Sequence, residues 1–192
     1  MPSREHVKKA LKVAKTKVAY DYFFKKLNSP DWIEPLAAEG VFESPSNVYE
    51  INGILQASFW EPSKYLARMA SLAPEKVLSI INKIPPTDNP RIHEDFINAA
   101  LAMPPQYAKK LRRKAIHSLD NPYQLSLPSK VTEFAVYFLK AHLTDDAMEL
   151  CKSLLDIKSS EKKYQSYEHR FINDWELNEK IKEISCHLEN YN

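Results

Sequence analysis

Residues 65–119, YLARMASLAPEKVLSIINKIPPTDNPRIHEDFINAALAMPPQYAKKLRRKAIHSL, decide the fold. Leu66, Met69, Leu72 and Ala73 recur at helical spacing, Ala73-Pro74-Glu75 interrupts, and Val77, Ile80, Ile81 and Ile84 resume the same period. Proline at the first position of a helix forfeits no bond, because that N–H has no partner inside the helix. The spacing therefore predicts one helix ending near Leu72 and a second opening at Pro74. A turn so short makes the two helices antiparallel neighbours. The plan then repeats. Asn89 is an N-cap with Pro90 behind it, and Ile92, Phe96, Ala99, Ala100 and Met103 line one face. Pro104-Pro105 ends that helix and opens the next, which carries Tyr107, Leu111 and Ala115. The separation of the turn prolines, Pro74 and Pro104, falls within the roughly 20–50 residues expected of stacked repeats.

The rest of the 192-residue chain extends this pattern. Two glycines against thirteen prolines argue against a hairpin-rich β fold, whose turns need positive φ, and for proline punctuation between helices. A 44% hydrophobic content is enough to fill a core. The net charge of +2 gives no global pull toward nucleic acid or an anionic membrane. Cys151 and Cys186 are too few for a disulfide framework, and their helix faces predict buried thiols. With no signal peptide and no apolar run of about 18 residues, the expectation is a soluble cytosolic protein without membrane attachment.

In chain order, the reading is a single helical-repeat domain over 1–192. N-terminal helices occupy 1–40, an irregular connection 41–60, three helical hairpins 61–157, and a linker with a C-terminal helix 158–192. Ser3–Leu27 reads as one long helix with Val7, Leu11, Ala14, Val18 and Tyr22 as its apolar stripe. Asp31 is placed as the cap of a short helix carrying Trp32, Ile33 and Leu36, which Gly40 ends. Val41–Trp60 keeps no sustained period and is expected to pack as an ordered extended segment, with a binding surface as the alternative. Val131, Phe134, Ala135, Phe138 and Leu139 form the first helix of the third hairpin. Thr144, with Asp145 and Asp146 in the first turn, starts its second. Ser159–His169 reads as a linker, and Leu177, Ile181, Ile184 and Leu188 stripe a last helix over Asn173–Leu188. The fold class is all-α: a right-handed stack of antiparallel helical hairpins, each burying its faces on the next.

That arrangement resembles the HEAT-like α-solenoids over Pro30–Ile157. Particular words carry a second resemblance: Phe23-Phe24-Lys25-Lys26-Leu27 with Pro30-Asp31-Trp32 and Pro35-Leu36, then Tyr65–Ala70, Ile84–Asp95, Ala102–Pro105, and Arg170-Phe171 with Asp174-Trp175. These are similar to the N-terminal helical region of large, functionally uncharacterised bacterial proteins. The resemblance implies a bacterial protein, covers the front part of such proteins, and brings no catalytic residues.

Two polar groupings are candidate sites. The first is the surface cluster Asp88, Arg91, His93 and Asp95. His93 with Asp88 or Glu94 supplies the residue types of a metal or acid–base site, yet His93 and Glu94 point about 100° apart on a helix and no H-E-x-x-H spacing accompanies them. Helix capping by Asn89, with Arg91 paired locally, accounts for the same residues. The second is the basic run Lys109, Lys110, Arg112, Arg113 and Lys114, which is either a solvated helix face or a set of phosphate contacts. Trp32, Trp60 and Trp175 are expected in packing. The six histidines are scattered, a glycine-rich phosphate cradle is excluded, and no Cys-x-x-Cys exists. The expectation is thus a non-enzymatic protein-interaction module with no catalytic residues, metal or cofactor. Its partner is another protein or a second copy of the chain. Nucleic acid bound by the basic helix face is the alternative, and an enzyme built on His93 and Asp95 comes third.

Overall fold

The computed structural model describes residues 2–123, 126–156, 179, 182 and 184–186. The chain is mostly helical and divides into two compact units, Met1–Leu111 and Arg112–Asn192. Among the described residues, no helix is long and apolar enough to cross a membrane.

The first unit opens with α1 (Arg4–Val13) and α2 (Lys17–Lys26), where one long helix is expected. The interruption is local chemistry. Thr16 is extended, and its Oγ1 accepts from Ala19 N at 3.2 Å, capping a new helix. Ala14 leaves helical geometry at φ −80, ψ 48. The break resets the helical phase, so the expected stripe fails beyond it. Val7 and Ala14 are buried, but Val18 and Tyr22 are 79% and 63% exposed, and Phe24 and Leu27 go inside instead.

A 3-10 turn, Pro30–Trp32, leads into α3 (Ile33–Ala38). Its cap is Ser29, whose hydroxyl accepts from Asp31 N at 3.2 Å; Asp31 is not the cap. Gly40 closes α3 as expected: at φ +72 it lets Val41 N reach Leu36 O and Gly40 N reach Ala37 O, the paired bonds of a left-handed helix terminus.

Residues 41–60 are not uniformly irregular. β1 (Tyr49–Ile51) and β2 (Ile54–Gln56) form an antiparallel hairpin with Tyr49 opposite Gln56 and Ile51 opposite Ile54. Its turn is Asn52-Gly53, both at positive φ (53 and 78). That dipeptide is the strongest short-range hairpin signal in a sequence, and the general scarcity of glycine masks it.

The helices α4 (Glu61–Met69), α5 (Pro74–Lys83) and α6 (Pro90–Ala102) follow, with Pro74 and Pro90 at first-turn positions and Asn89 as the N-cap of α6. Tyr65, Leu66, Ile81, Ile92, Phe24, Ile33 and Leu36 are all less than 2% exposed. Each such side chain stabilises the fold by roughly 1.5–3 kcal/mol relative to exposure. Two polar bonds fix α4 against α2 and the turn that follows it. Tyr65 Oη donates to Ser29 O at 2.7 Å, and Arg68 donates to Phe24 O at 2.7 Å. The guanidinium thereby satisfies a carbonyl in the last turn of α2. Lys76 of α5 pairs with Glu34 of α3 at 2.8 Å. The single helix expected after Pro105 is divided: α7 (Pro105–Ala108) and a 3-10 turn at Lys109–Leu111 close the first unit, and α8 (Arg112–Ser118) opens the second.

In the second unit, α9 (Leu127–Lys140) and α10 (Thr144–Leu155) form the expected hairpin. Val131, Phe134, Ala135, Phe138 and Leu139 face Ala147 and Leu150, and all are buried. His142, at φ 58, makes the left-handed turn between them. Cys151 is half-buried, its thiol pKa raised by burial, whereas Cys186 is exposed against expectation. The linker expected at Ser159–His169, Trp175, and most of the helix expected over Asn173–Leu188 lie outside the described residues. Within that helix, residues 179, 182 and 184–186 are helical.

Candidate functional site

The polar residues at the start of α6 converge on the segment that carries the hairpin. Asn89 is fully buried. Its Oδ1 accepts from Arg91 N at 3.1 Å, and its Nδ2 donates to Ser58 O at 2.8 Å and Ser46 Oγ at 3.0 Å. One amide thus caps the helix and holds both flanks of the hairpin. Thr87 Oγ1 donates to Ser46 O at 2.8 Å and accepts from Asn89 N at 3.1 Å.

The expected cluster Asp88, Arg91, His93 and Asp95 is divided among different tasks. Asp88 Oδ1 accepts from Val48 N at 2.8 Å, just before β1. Arg91 Nε donates to Ala57 O at 2.9 Å, just after β2. Arg91 is therefore paired across the chain, not locally as expected. The two residues clamp the ends of the hairpin. His93 Nε2 donates to Thr87 O at 2.9 Å, which fixes the proton on Nε2, and its ring meets Phe96 edge-on with centroids 6.2 Å apart. Two residues further on, Asp95 projects about 200° around the helix from His93 and contacts α4.

There Asp95 Oδ2 lies 2.5 Å from Ser63 Oγ, which lies 2.7 Å from Trp60 O. Burial pushes the Asp95 carboxyl up to about 6. The nearby Glu94 and Glu61 add to this, while Ser63 and Lys64 act the other way. Ser63 has one hydroxyl proton for two acceptors. A protonated Asp95 resolves the conflict by donating to Ser63, which then donates to Trp60 O. An ionised Asp95 takes the hydroxyl proton, leaving Trp60 O with the Ser63 backbone N–H at 3.1 Å.

The segment entering α4 gathers the remaining chemistry. Phe59 is 51% exposed and its ring meets two cations: Lys64 Nζ is 3.6 Å and the Arg91 guanidinium 4.4 Å from its ring centroid. Glu61 is only 5% exposed. Lys64 Nζ approaches its Oε1 at 3.3 Å, whereas Oε2 receives no hydrogen bond from the described residues. Glu61, Trp60, Phe59, Ser58 and Ser46 line one side of an open cleft of roughly 320 Å³. The α1–α2 elbow, from Ala14 to Asp21, lines the other. Tyr20 in that wall has its phenol pushed up to about 12 by burial and by Asp21. Nothing in the residue-type patterns marked this cleft, because its two walls come from separate stretches of the sequence.

The basic run is less available than its sequence suggests. Arg112 is ion-paired with Asp146 and, at 2.8 Å, with Glu149. Lys114 is half-buried, and burial lowers its pKa. Lys109, Lys110 and Arg113 are exposed, with Lys110 Nζ 5.9 Å from the Tyr107 ring centroid. Trp60 is buried and Trp32 half-buried, its ring edge-on to Phe23 at 5.8 Å. Among the described residues, no group of three or more His, Cys, Asp or Glu side chains is placed to hold a metal ion. No protein-family model, curated protein or solved structure matches the chain.

Proposed function

We propose that this chain is a non-enzymatic helical-repeat interaction module of a cytosolic bacterial protein, and that it binds an extended strand of a partner polypeptide at the β1–β2 hairpin. One observation carries the reading. Tyr49, Ile51 and Ile54 lie on one face of the hairpin and are 47%, 51% and 62% exposed. Neither strand pairs with a third among the described residues. A two-stranded sheet is marginal in water by itself. Its free edges are templates for strand addition, and proteins usually guard such edges with lysine or proline. Here the stretch Val48–Gln56 carries neither, and Glu50 is its one charge.

The clamping of both hairpin ends by Asp88 and Arg91 further supports the reading, since a held strand loses less entropy when it pairs. For the HEAT-like architecture, the support is the packing of α4 along α6. These are the first helices of successive hairpins, and α4 packs more extensively on α6 than on its own hairpin partner α5. The nucleic-acid alternative has less behind it, because Arg112 is already held by two carboxylates.

The test is affinity capture and sedimentation with wild type and Ile51→Lys/Ile54→Lys. The reading expects a bound polypeptide, whether a second copy or another protein, that the double variant releases while keeping its helical circular dichroism. A bound partner indifferent to the two lysines, or a monomer that captures nothing, refutes it. Retention on duplex or single-stranded oligonucleotides, falling steeply with salt, transfers support to the alternative.

A further inference from the structure

The net charge of +2 hides a local excess. Residues 4–26 hold eight of the chain's 27 basic residues and two of its 25 acidic ones, so this stretch is +6 and the rest of the chain −4. Its two acids are already engaged, Glu5 with Lys9 at 4.0 Å and Asp21 with Lys17 at 3.6 Å. Lys8, Lys12, Lys15, Lys25 and Lys26 are exposed and form no ion pair among the described residues. Apolar side chains stand open among these lysines. The α1–α2 elbow reads Lys12-Val13-Ala14-Lys15-Thr16-Lys17-Val18. Ala14 is buried, whereas Val13 and Val18 are 83% and 79% exposed, the two most open large apolar side chains among the described residues. Because α1 stops at Val13 and Thr16 caps a new helix, the valines flank the elbow on either side. Tyr22, one turn beyond Val18, is 63% exposed with Lys26 Nζ 5.5 Å from its ring centroid. Val18, Tyr22, Lys25 and Lys26 share one face of α2.

We propose that the elbow docks on an anionic lipid surface, with Val13 and Val18 entering the boundary between headgroups and acyl chains and the surrounding lysines meeting lipid phosphates. Exposed aliphatic side chains gain by leaving water. Each lysine brought to a negatively charged leaflet strengthens binding about fivefold. A bilayer offers both the hydrocarbon and the negative charge that an apolar tip with a basic rim requires. Nucleic acid offers the charge, but its bases reward aromatic stacking, which valine does not provide. Attachment of this kind is peripheral; among the described residues no helix is long and apolar enough to cross a membrane. It departs from the expectation of no membrane attachment because an average charge says nothing of how the charges are distributed. The elbow shares no residue with the β1–β2 hairpin, so the proposal is independent of strand binding there.

The experiment co-sediments the full chain with vesicles of phosphatidylcholine alone and of phosphatidylcholine and phosphatidylglycerol in equal parts. Wild type is expected to bind the mixed vesicles, to ignore the neutral ones, and to bind less as salt rises. Lys12→Glu/Lys15→Glu should weaken binding to mixed vesicles by at least about 25-fold, two lysines' worth. Val13→Ser/Val18→Ser, which changes no charge, should weaken it by at least about tenfold. Both pairs are exposed, so helical circular dichroism should not change. Lys109→Glu/Lys110→Glu alters equally exposed lysines outside the elbow and should leave binding as it is. The proposal is overturned if wild type stays in solution with both vesicles, if the serine pair binds like wild type, or if the Lys109 and Lys110 pair loses as much as the Lys12 and Lys15 pair. Tighter binding to an oligonucleotide than to mixed vesicles of equal phosphate content also overturns it. Should the serine pair fail to fold, the two lysine pairs and the vesicle comparison on wild type still decide.

Discussion

Replacing Asp95 by asparagine should stabilise this protein at neutral pH and do little in acid. The carboxyl sits against Ser63 in the α4–α6 contact, with its ionisation pushed from 3.8 up to about 6, burial being the largest cause. A carboxyl whose folded value lies above its unfolded one binds protons on folding. Its favourable contribution is complete below pH 3.8 and is lost as pH rises through about 6. The difference amounts to about 3 kcal/mol by pH 7, a large share of the roughly 5–15 kcal/mol that holds a typical domain together. The side-chain amide introduced by Asp95→Asn keeps a donor for Ser63 Oγ, so the bond from Ser63 to Trp60 O survives, and it cannot ionise. Urea unfolding of both proteins at about pH 4 and about pH 7.5 checks this. Near pH 4 the two should agree to within about 1 kcal/mol, and near pH 7.5 the variant should be more stable by about 2–3 kcal/mol. A constant difference across that range, or a wild type that gains on the variant as pH rises, would refute the proton chain through Ser63.

Two structural predictions accompany it. Asn89→Ala removes a helix cap and both bonds to the hairpin flanks from a fully buried site; a loss of about 2–4 kcal/mol in chemical denaturation is expected, with faster amide exchange across Tyr49–Gln56. Arg112→Met strips the partner from Asp146 and Glu149 and should lower stability by about 1–3 kcal/mol. That loss should shrink in high salt, as it must if charge rather than packing holds the residue.

Short-range information in the chain determined the helices whose ends are set by covalent chemistry. Pro74, Pro90 and Pro105 open helices where their lack of an N–H predicts, and Asn89 caps α6. The spacing of Val131, Phe134 and Phe138 named a buried face, because side chains three and four apart share one side of a helix. Thr16 and Asn52-Gly53 were equally local signals, a cap inside an apparent stripe and a hairpin turn inside an apparent loop. Each lost out to a longer-range expectation: the continuous apolar period in the first case, the glycine shortage in the second. Only the tertiary structure decided which polar residues meet. Asp88 finds Val48, Arg91 finds Ala57, Asp95 finds Ser63, and Glu61 comes to face the elbow at Thr16. Those pairings join residues far apart in the chain, beyond the reach of any periodicity. They exist because packing the apolar faces of α2, α4 and α6 brings the helix starts together, and a charge buried by that packing must take whatever partner the geometry delivers.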